Sequence, residues 1–389
     1  MPGRAASVNV AIFAMLAASF MSMFDRSTLP PMLTAMSADL DASLGEVGAA
    51  LSVYSICYAI SQLAWSAVSS RLGQVRVLRM ALVAAAAFTI LTACAFDPVV
   101  LWIARALSGL AIGAIVPATL VYVGDNVPLA RRAHSLANLA TATSLGATVA
   151  VVVASVFGPL GAWRWVFVGT AVVELVIVVL LWRVNAGPRP ASPVPIRTSM
   201  RRVLGDAWAV LILGLVFLEG ATLYGVMGFL PAALHNEGTD AMLAGVVTGI
   251  YGVTLIGTAQ LMKLILGRVR PAVLLLVGGA ANALGFALLV ATISVPSVLV
   301  ASGLFGFAWA IAHTQMQNWM TDAVAKDRPV GMALFSTALF VGAAAGAAVG
   351  SAAASNGAYV WLFAGTSLAG AVFAVGATLG RRVYRVRSS

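Results

Sequence analysis

Two short stretches decide the architecture of this chain: Leu72-Gly73-Gln74-Val75-Arg76 and Leu266-Gly267-Arg268-Val269-Arg270. Each is a glycine turn with arginines, and each lies between two apolar runs that are too long for a soluble domain. The stretches lie 194 residues apart in a chain of 389, so each occupies the same place in its own half. A basic hairpin that recurs once per half predicts a duplicated membrane protein.

The composition is that of a protein whose solvent is largely lipid. Hydrophobic residues make up 61% of the chain and charged residues 9%, and the mean hydropathy is +0.98. Soluble domains carry about 25% charged residues, so this chain has too few to cover its own surface against water. The natural unit for counting is therefore the membrane span of about 20 apolar residues.

Charge and cysteine patterns argue against two other classes. The net charge is +10, but the basic residues form short clusters between apolar spans without interleaved aromatics, so no nucleic-acid partner is predicted. Cys57 and Cys94 lie inside apolar runs and are interpreted as small buried hydrophobic residues, not as a disulfide or metal pair. A cleaved signal peptide is disfavoured, because the first apolar run continues through Asp25 to Pro31 and has a counterpart in the second half.

Twelve apolar runs predict an all-α membrane protein with twelve transmembrane helices. Backbone groups in lipid must be hydrogen-bonded internally, so each span is expected to be a helix. Gly342, Gly346 and Gly350 follow the small-xxx-small spacing that lets membrane helices approach closely. The expected spans are about 8–34, 47–69, 75–95, 98–122, 134–158, 164–183, 207–233, 241–265, 271–292, 296–320, 330–353 and 358–380.

Lysine and arginine predict the orientation. One set of connections holds 20 of the 23 basic residues, whereas the opposite set is mostly acidic. Because basic loops stay in the cytoplasm, both termini and the linker at 185–206 are expected to be cytoplasmic. The proline-rich stretch Asn185–Met200 breaks helix periodicity, and the linker arginines are expected to meet anionic membrane lipid. Arginine outnumbers lysine 21 to 2, which suggests a GC-rich bacterial genome and a multi-pass protein of the bacterial inner membrane.

The two halves match at further positions, and the matches share one register. The offsets of three further matches are 200, 198 and 197 residues, close to the 194 of the hairpins. These matches predict two pseudo-symmetric six-helix bundles, at 1–184 and 207–389. The matched pairs are Leu29-Pro30-Pro31 with Phe229-Leu230-Pro231, Pro98–Leu101 with Pro296–Leu299, and Asp125 and Arg131 with Asp322 and Arg328.

A resemblance to a known family rests on several of these stretches. Ser66–Met80 resembles the loop between helices 2 and 3 of major facilitator superfamily transporters, usually G-x-L-x-D-R-x-G-R-[RK]. Arg71, Gly73 and Arg76 fit that pattern, whereas Ser66 and Ser70 replace its first glycine and its aspartate. Arg105, followed by Gly109 and Gly113, resembles the helix-4 motif R-x-x-x-G of the same superfamily.

Two further stretches resemble twelve-span bacterial drug and metabolite exporters of the drug:proton antiporter type. Trp163–Phe167 is similar to the W-R-W-x-F that opens their helix 6, and Asp25–Pro30 is similar to their helix 1. The helix-5 antiporter signature G-x-x-x-G-P-x-x-G-G is matched only at Gly146. The resemblance implies a monomer that carries a small-molecule substrate together with protons, works without a cofactor, and lines its cavity with helices 1, 4, 7 and 10.

The source of energy is predicted to be a downhill ion, by default the proton. The chain has no phosphate-binding loop of the G-x-x-x-x-G-K-[ST] type. Ionisable residues inside spans are costly and are functional hypotheses by default. The predicted proton-coupling or substrate-cavity residues are Asp25, Arg26, Arg105, Tyr122, Glu219, Tyr224, His313 and Gln317.

Glu219 is the first candidate for proton coupling. It lies about 16 Å along its helix from Trp208, near the middle of the bilayer; the alternative is a protonated glutamic acid that hydrogen-bonds a neighbouring helix. His313 and Gln317 are four residues apart and share one helix face, which favours substrate contact. Glu174 is interpreted first as a helix–helix hydrogen bond and second as another proton site.

Asp25 and Arg26 are adjacent and point about 100° apart on a helix, so they are poor partners for each other. Asp25 is expected to pair with Arg105 if helices 1 and 4 approach there, either as a structural ion pair or for coupling. Arg26 has an alternative at the outer interface, where it would extend to water. Tyr122 and Tyr224 are candidates for an aromatic wall with a polar tip, with interface anchoring as their alternative.

A cytoplasmic gate is predicted from the hairpins. Arg71 and Arg76 are expected to bond the ends of neighbouring helices, with Gly73 in the turn. Asp125 with Arg131, and Asp322 with Arg328, are expected to form matching latches. The alternative is that these arginines only set topology.

The first functional hypothesis is proton-coupled export of a small amphiphilic compound by alternating access. The second is a proton-coupled uptake symporter for a small organic anion, with Arg26 or Arg105 meeting the anion. A sensor that transports nothing is disfavoured because the chain has no added soluble domain or long tail. An enzyme is not predicted, since no nucleophile–base pair or metal-ligand cluster is apparent.

Overall fold

The computed structural model of the protein describes residues 2–127, 129–182, 184, 196–265 and 269–384. Within these ranges some side chains lie outside the description, among them those of Arg71, Asp125 and Arg131. The described chain is helical, as long apolar runs require in lipid.

The first half contains six long helices. They are α1 (Pro2–Asp39), α2 (Leu44–Leu72), α3 (Gln74–Ala93), α4 (Pro98–Ile112 continuing as Ile115–Asn126), α5 (Leu129–Phe157) and α6 (Trp163–Trp182). A short helix, α7 (Ile196–Leu204), follows.

The second half repeats this plan. It contains α8 (Ala207–Gly220 continuing to Leu230–Asn236), α9 (Ala241–Thr248 and Ile250–Ile265), α10 (Pro271–Ala291), α11 (Val295–Ala308 continuing to Thr314–Ala323), α12 (Arg328–Ser355) and α13 (Tyr359–Val383). The predicted spans and these helices agree to within a few residues at nearly every end.

The predicted all-α membrane fold is confirmed. Among the described residues, 11 helices are long and apolar enough to cross a membrane. The one predicted span that is not among these 11 is the fifth, at 134–158. It corresponds to α5, whose apolar part is Thr141–Phe157. The first span is longer than expected, because α1 continues through Pro30 and Pro31 to Asp39.

The chain divides into two compact units. Unit 1 is Met1–Ala42 with Val53–Pro193, and unit 2 is Ser43–Ser52 with Val194–Ser389. In unit 1, α1 packs against α5, and α3 packs against α4 and α6. In unit 2 the equivalent pairs recur, since α8 packs against α12, and α10 against α11 and α13.

Glycines carry the close helix contacts, and they do so at repeated positions. A Cβ on Gly146 would overlap the Phe20 carbonyl oxygen, and one on Gly342 would overlap the Phe217 carbonyl oxygen. Phe217 and Gly342 follow Phe20 and Gly146 by 197 and 196 residues. The duplicated register is therefore present in the packing, and the small-xxx-small expectation for Gly342 is confirmed.

The first basic hairpin is a glycine turn, as predicted. Gly73 has φ +84° and immediately precedes α3, a conformation that favours glycine. Arg79, six residues further on, donates to the carbonyl oxygens of Leu181 at 2.6 Å and Val184 at 2.6 Å and so satisfies the end of α6. Of the second hairpin, Leu266–Arg268 lies outside the described residues.

Two expectations from the sequence are wrong. Cys94 is exposed and Cys57 only partly buried, because apolar side chains in a membrane protein face lipid as well as the protein interior. The linker stretch up to Met200 is not irregular throughout, since α7 begins at Ile196 after the last linker proline. Its arginines, Arg201 and Arg202, fall in the last helical turn, where positive charge stabilises a helix.

Candidate functional site

The first polar cluster lies inside unit 1, between α1 and α4. Arg105 Nη1 donates to Asp25 Oδ1 at 2.8 Å, and its Nη2 donates to the Asp25 carbonyl oxygen at 3.2 Å. The side chains are 1% and 0% exposed. The conditional pairing predicted from the sequence is therefore present, as a two-point contact shut off from solvent.

Aromatic rings cover this ion pair. The Arg105 guanidinium carbon lies 4.4 Å from the centroid of Tyr54 on α2 and 5.5 Å from that of Phe167 on α6. A guanidinium held over ring faces gains cation–π attraction, which is stronger when water is excluded. Four helices therefore hold one arginine in a fixed orientation.

The other two unit 1 candidates differ in their position relative to this pair. Arg26 is 7% exposed and lies near the middle of the span Val10–Asp39, so it does not extend to an outer interface. Tyr122 is buried, but it lies 17 residues beyond Arg105 on α4, or roughly 25 Å along the helix. Tyr122 is therefore not part of the Asp25–Arg105 cluster.

The second polar cluster lies inside unit 2, between α8 and α11. Glu219 Oε2 lies 3.0 Å from His313 Nδ1, and His313 Nε2 lies 3.0 Å from Gln317 Nε2. Glu219 is 1% exposed and His313 12%. Glu219, which was predicted separately, therefore joins the predicted face of His313 and Gln317 in one hydrogen-bonded chain.

Local helix geometry sets up this chain. Ala221–Gly225 in α8 and Trp309–His313 in α11 are both π-helical, and short π-helical segments inside α-helices are frequent at functional sites. Glu219 and Gln317 flank these segments within a few residues. Next to them, Asn282 Nδ2 donates to the Thr222 hydroxyl at 3.0 Å, which the sequence reasoning missed because neither residue is ionisable.

Aromatic side chains pack around His313. The indole of Trp309 stacks on the imidazole with centroids 3.9 Å apart and planes at 15°. Tyr224 meets Trp309 edge to face at 4.6 Å, and Phe335 lies 5.5 Å from His313. Tyr224 therefore belongs to the His313 neighbourhood, as an aromatic wall would.

The predicted cytoplasmic latch of unit 2 is wrong in its partner. Asp322 Oδ2 lies 3.2 Å from Arg381 Nη2 at the end of α13. Arg328 instead donates through Nε to the Thr321 carbonyl oxygen at 3.2 Å. Arg328 is the first residue of α12. Arg381 lies in the last turn of α13, which brings its guanidinium to Asp322.

The other gate residues stay predictions. The side chains of Arg71, Asp125 and Arg131 lie outside the described part of the chain, and Arg76 is exposed. Among the described hydrogen bonds of the hairpin, it is Arg79 that reaches the end of a neighbouring helix. The signal in the sequence that could have identified Arg79 is its position three residues after Arg76, on the same side of α3.

An ion pair that the sequence did not indicate joins α7 to the α11–α12 connection. Arg202 Nη2 lies 2.7 Å from Asp327 Oδ1. A hydrogen bond from the Ser199 hydroxyl, together with Arg202, holds the pKa of the Asp327 carboxyl below its ordinary value. The two residues are 125 positions apart, which no local pattern reports.

A clamp at the start of α6 uses the W-R-W motif. Arg164 Nη1 donates to the carbonyl oxygens of Ala93 at 2.8 Å and Ala95 at 2.6 Å. Its Nη2 lies 2.8 Å from Asp39 Oδ2, which also accepts from Trp163 Nε1 at 3.2 Å. The motif therefore ties together the ends of α1, α3 and α6.

Known proteins with similar sequences belong to one family of membrane proteins. The sequence matches the model of the Major Facilitator Superfamily over residues 15–326. It is 23% identical over 266 residues to the gallate transporter of Pseudomonas putida, a match that spans 59% of each protein. The chain thus spans about three fifths of the length of that curated relative.

Solved transporters share the fold over nearly the whole chain. A D-xylose-proton symporter superimposes with a TM-score of 0.75 at 15% identity, covering 94% of this chain and 97% of its own. The nucleoside transporter NupG gives 0.76 at 15% identity, covering 96% and 99%. Such identities show a common fold, and the family consists of transporters rather than enzymes. This chain belongs to the Major Facilitator Superfamily.

Proposed function

We propose that this chain is a proton-coupled secondary active transporter and that Glu219 and His313 form its proton site. The observation that carries the proposal is the 3.0 Å contact between a 1% exposed carboxyl group and an imidazole on a neighbouring helix. Intramembrane ionisable residues that pair with one another mark proton relays. The pair lies within the spans Ala207–Asn236 and Val295–Ala323.

The chemistry of the pair suits reversible proton loading. In the neutral imidazole, Nδ1–H donates to Glu219 while Nε2 accepts from the Gln317 amide. Adding a proton makes both ring nitrogens donors, so Gln317 must turn its carbonyl oxygen toward His313. Protonation at this site therefore changes the side-chain arrangement on α11 beside a π-helical segment.

We propose a small aromatic carboxylate as the substrate, taken up together with a proton. The similarity to a protein named as a gallate transporter supports this class, and Tyr224 and Trp309 offer ring faces beside the proton site.

Export of an amphiphilic compound, with the proton moving inward, is the second candidate. It rests on the exporter-like stretches of α1 and α6, and it is favoured by the neutralisation of Arg105 by Asp25 at 2.8 Å. Because that charge is already balanced, this guanidinium attracts an anion weakly.

The test is transport by protein reconstituted into liposomes, with labelled gallate and benzoate as probes and pH gradients of either sign. A symporter accumulates the probe when the outside is acidic, whereas an antiporter depletes it. We expect Glu219→Gln to abolish gradient-driven accumulation and to retain exchange of labelled for unlabelled probe across equal pH.

The matched control is Glu237→Gln, because Glu237 is exposed in the connection between α8 and α9. It should behave as wild type. Gradient-driven accumulation by Glu219→Gln at the wild-type level would contradict the proton site, whichever direction is found.

A further inference from the structure

Glu174 on α6 is a buried carboxyl group that takes no part in either polar cluster by hydrogen bonding. Its exposure is 0%, and neither of its carboxyl oxygens makes a well-aligned hydrogen bond among the described residues, the Thr89 hydroxyl being in weaker contact. An ionised carboxylate that is buried without hydrogen bonds is very costly. Glu174 is therefore expected to carry a proton or to find a partner when the structure changes.

The surroundings of Glu174 supply one such partner. Glu174 follows Phe167, whose ring covers Arg105, by seven residues and so lies on the same face of α6. Asp25 on α1 and Arg105 on α4 both lie within electrostatic range of its carboxyl group, and the Thr89 hydroxyl of α3 lies beside it. Tyr54 and Tyr58 on α2 and Arg26 on α1 are the further titratable and charged groups of this region.

The balance of charges around Glu174 determines whether its carboxyl group holds a proton. Arg105 bonds Asp25 through both terminal nitrogens, and among the described residues its Nε has no partner. Within the same part of the chain the Asp25 Oδ2 atom is also without a partner. One guanidinium thus faces two carboxyl groups and is hydrogen-bonded to one of them, which leaves Glu174 as the carboxyl that holds a proton.

We propose that Glu174 is a second proton-binding site, located in unit 1, and that the Asp25–Arg105 pair controls its occupancy. While Asp25 holds Arg105, Glu174 keeps its proton. When Asp25 takes up a proton, Arg105 is left with Glu174 as its anionic partner. The Glu174 O–H bond then breaks, the carboxylate pairs with the guanidinium, and the proton passes to water or to an acceptor outside the cluster.

This inference rests on the proposed function only for its meaning in transport, because the protonation of Glu174 is measurable without it. The chain has four glutamates: Glu46, Glu174, Glu219 and Glu237. Glu46 and Glu237 are exposed. Infrared spectra of protein labelled with [13C]glutamate in the Glu219→Gln background therefore report one buried glutamate, Glu174.

We expect a label-sensitive carbonyl band of a protonated carboxylic acid near neutral pH in Glu219→Gln. Changing Glu174 to Asp in that background should remove the labelled band and leave an unlabelled one in its place. Adding Asp25→Asn should also abolish the labelled band, because Arg105 then pairs with Glu174. A purely structural glutamic acid would keep its band in Asp25→Asn.

Absence of the labelled band in Glu219→Gln at neutral pH would overturn the proposal, and so would its persistence in the Asp25→Asn variant. These readouts need neither transport activity nor folding of a Glu174 variant. In liposomes, Glu174→Gln should lower the number of protons moved per substrate by one, whereas an unchanged ratio would count against the site. If Glu219→Gln transports normally and the labelled band is present, the proton role of Glu219 fails and that of Glu174 stands.

Discussion

The two polar clusters of this protein differ in how firmly their charges are fixed. In unit 1, Arg105 meets Asp25 at two points, beneath the rings of Tyr54 and Phe167. In unit 2, Glu219 meets a histidine, whose charge changes near neutral pH, through one contact. An arginine keeps its charge in proteins, so the cation of the first cluster is permanent and only its carboxyl partner can change, whereas in the second cluster the imidazole itself can gain or lose its charge.

A second difference is that the packing of the helices is duplicated between the two units, whereas the polar clusters are not. Glycine contacts recur about 197 residues apart, at Gly146 and Gly342. The ionisable residues of the first polar cluster do not recur, because Thr222 and Ser302 stand 197 positions after Asp25 and Arg105. Helix packing constrains residue size in both halves alike, whereas the two halves carry different charged groups.

Breaking the ion pair between Asp25 and Arg105 should have the largest effect on the stability of the protein. Removing one partner of a buried ion pair costs about 3–5 kcal/mol, so Arg105→Gln should lower the thermal unfolding temperature in detergent strongly. Asp25→Asn should cost less, because Glu174 is available to Arg105. Glu219→Gln should cost least of the three, since a glutamine still hydrogen-bonds His313.

Equal stability of Arg105→Gln and Glu219→Gln would remove the distinction between the two clusters. The double variant Asp25→Asn, Arg105→Gln is the control. It should be more stable than Arg105→Gln alone, because it leaves one fewer unpaired carboxylate.

Enlarging the scaffold glycines should affect both units by a similar amount. Gly146→Leu and Gly342→Leu each push a side chain into the backbone of a neighbouring helix, and overpacking costs about 1–3 kcal/mol. Thermal unfolding of the two variants should fall by comparable amounts. A large difference between them would show that the repeat register does not carry equal packing in both units.

Gly169 and Gly214 provide matched controls, because a Cβ on either would meet nothing within 4 Å. Alanine is favoured over glycine in a helix interior by about 1 kcal/mol. Gly169→Ala and Gly214→Ala should therefore leave stability unchanged or raise it.

The smallest effect is expected at the pair between α7 and the α11–α12 connection. Arg202 is 53% exposed, and exposed ion pairs contribute about 0.2–1 kcal/mol. Because the Asp327 pKa is lowered in the folded state, its contribution is present above the ordinary aspartate pKa of about 4 and is lost as the pH falls through the lowered value.

Asp327→Asn should therefore be slightly less stable than wild type at neutral pH and should converge with it in acid. Thermal unfolding across pH measures this. A difference that grows as the pH falls would contradict the sign. Asp322→Asn removes the contact with Arg381. Its thermal unfolding measures the contribution of a second ion pair in the same unit for comparison.

Several features of the site followed from sequence spacing, and others did not. His313 and Gln317 are four residues apart, so their shared face was predictable. The contact of Glu219 with His313 spans 94 residues and depends on how α8 and α11 are rotated. The latch at Asp322 was assigned to Arg328 by spacing, whereas Arg381 reaches it from 59 residues away.

The amino-acid sequence by itself determined the membrane fold, the helical spans, the duplication and the family resemblance, because hydropathy and repeated motifs are local properties of the chain. Only the tertiary structure decided which buried charges meet. Partner choice depends on helix rotation and on close approach at glycines such as Gly342. A change of one residue in helix register turns a side chain by about 100°, which is enough to give Glu219 a different neighbour.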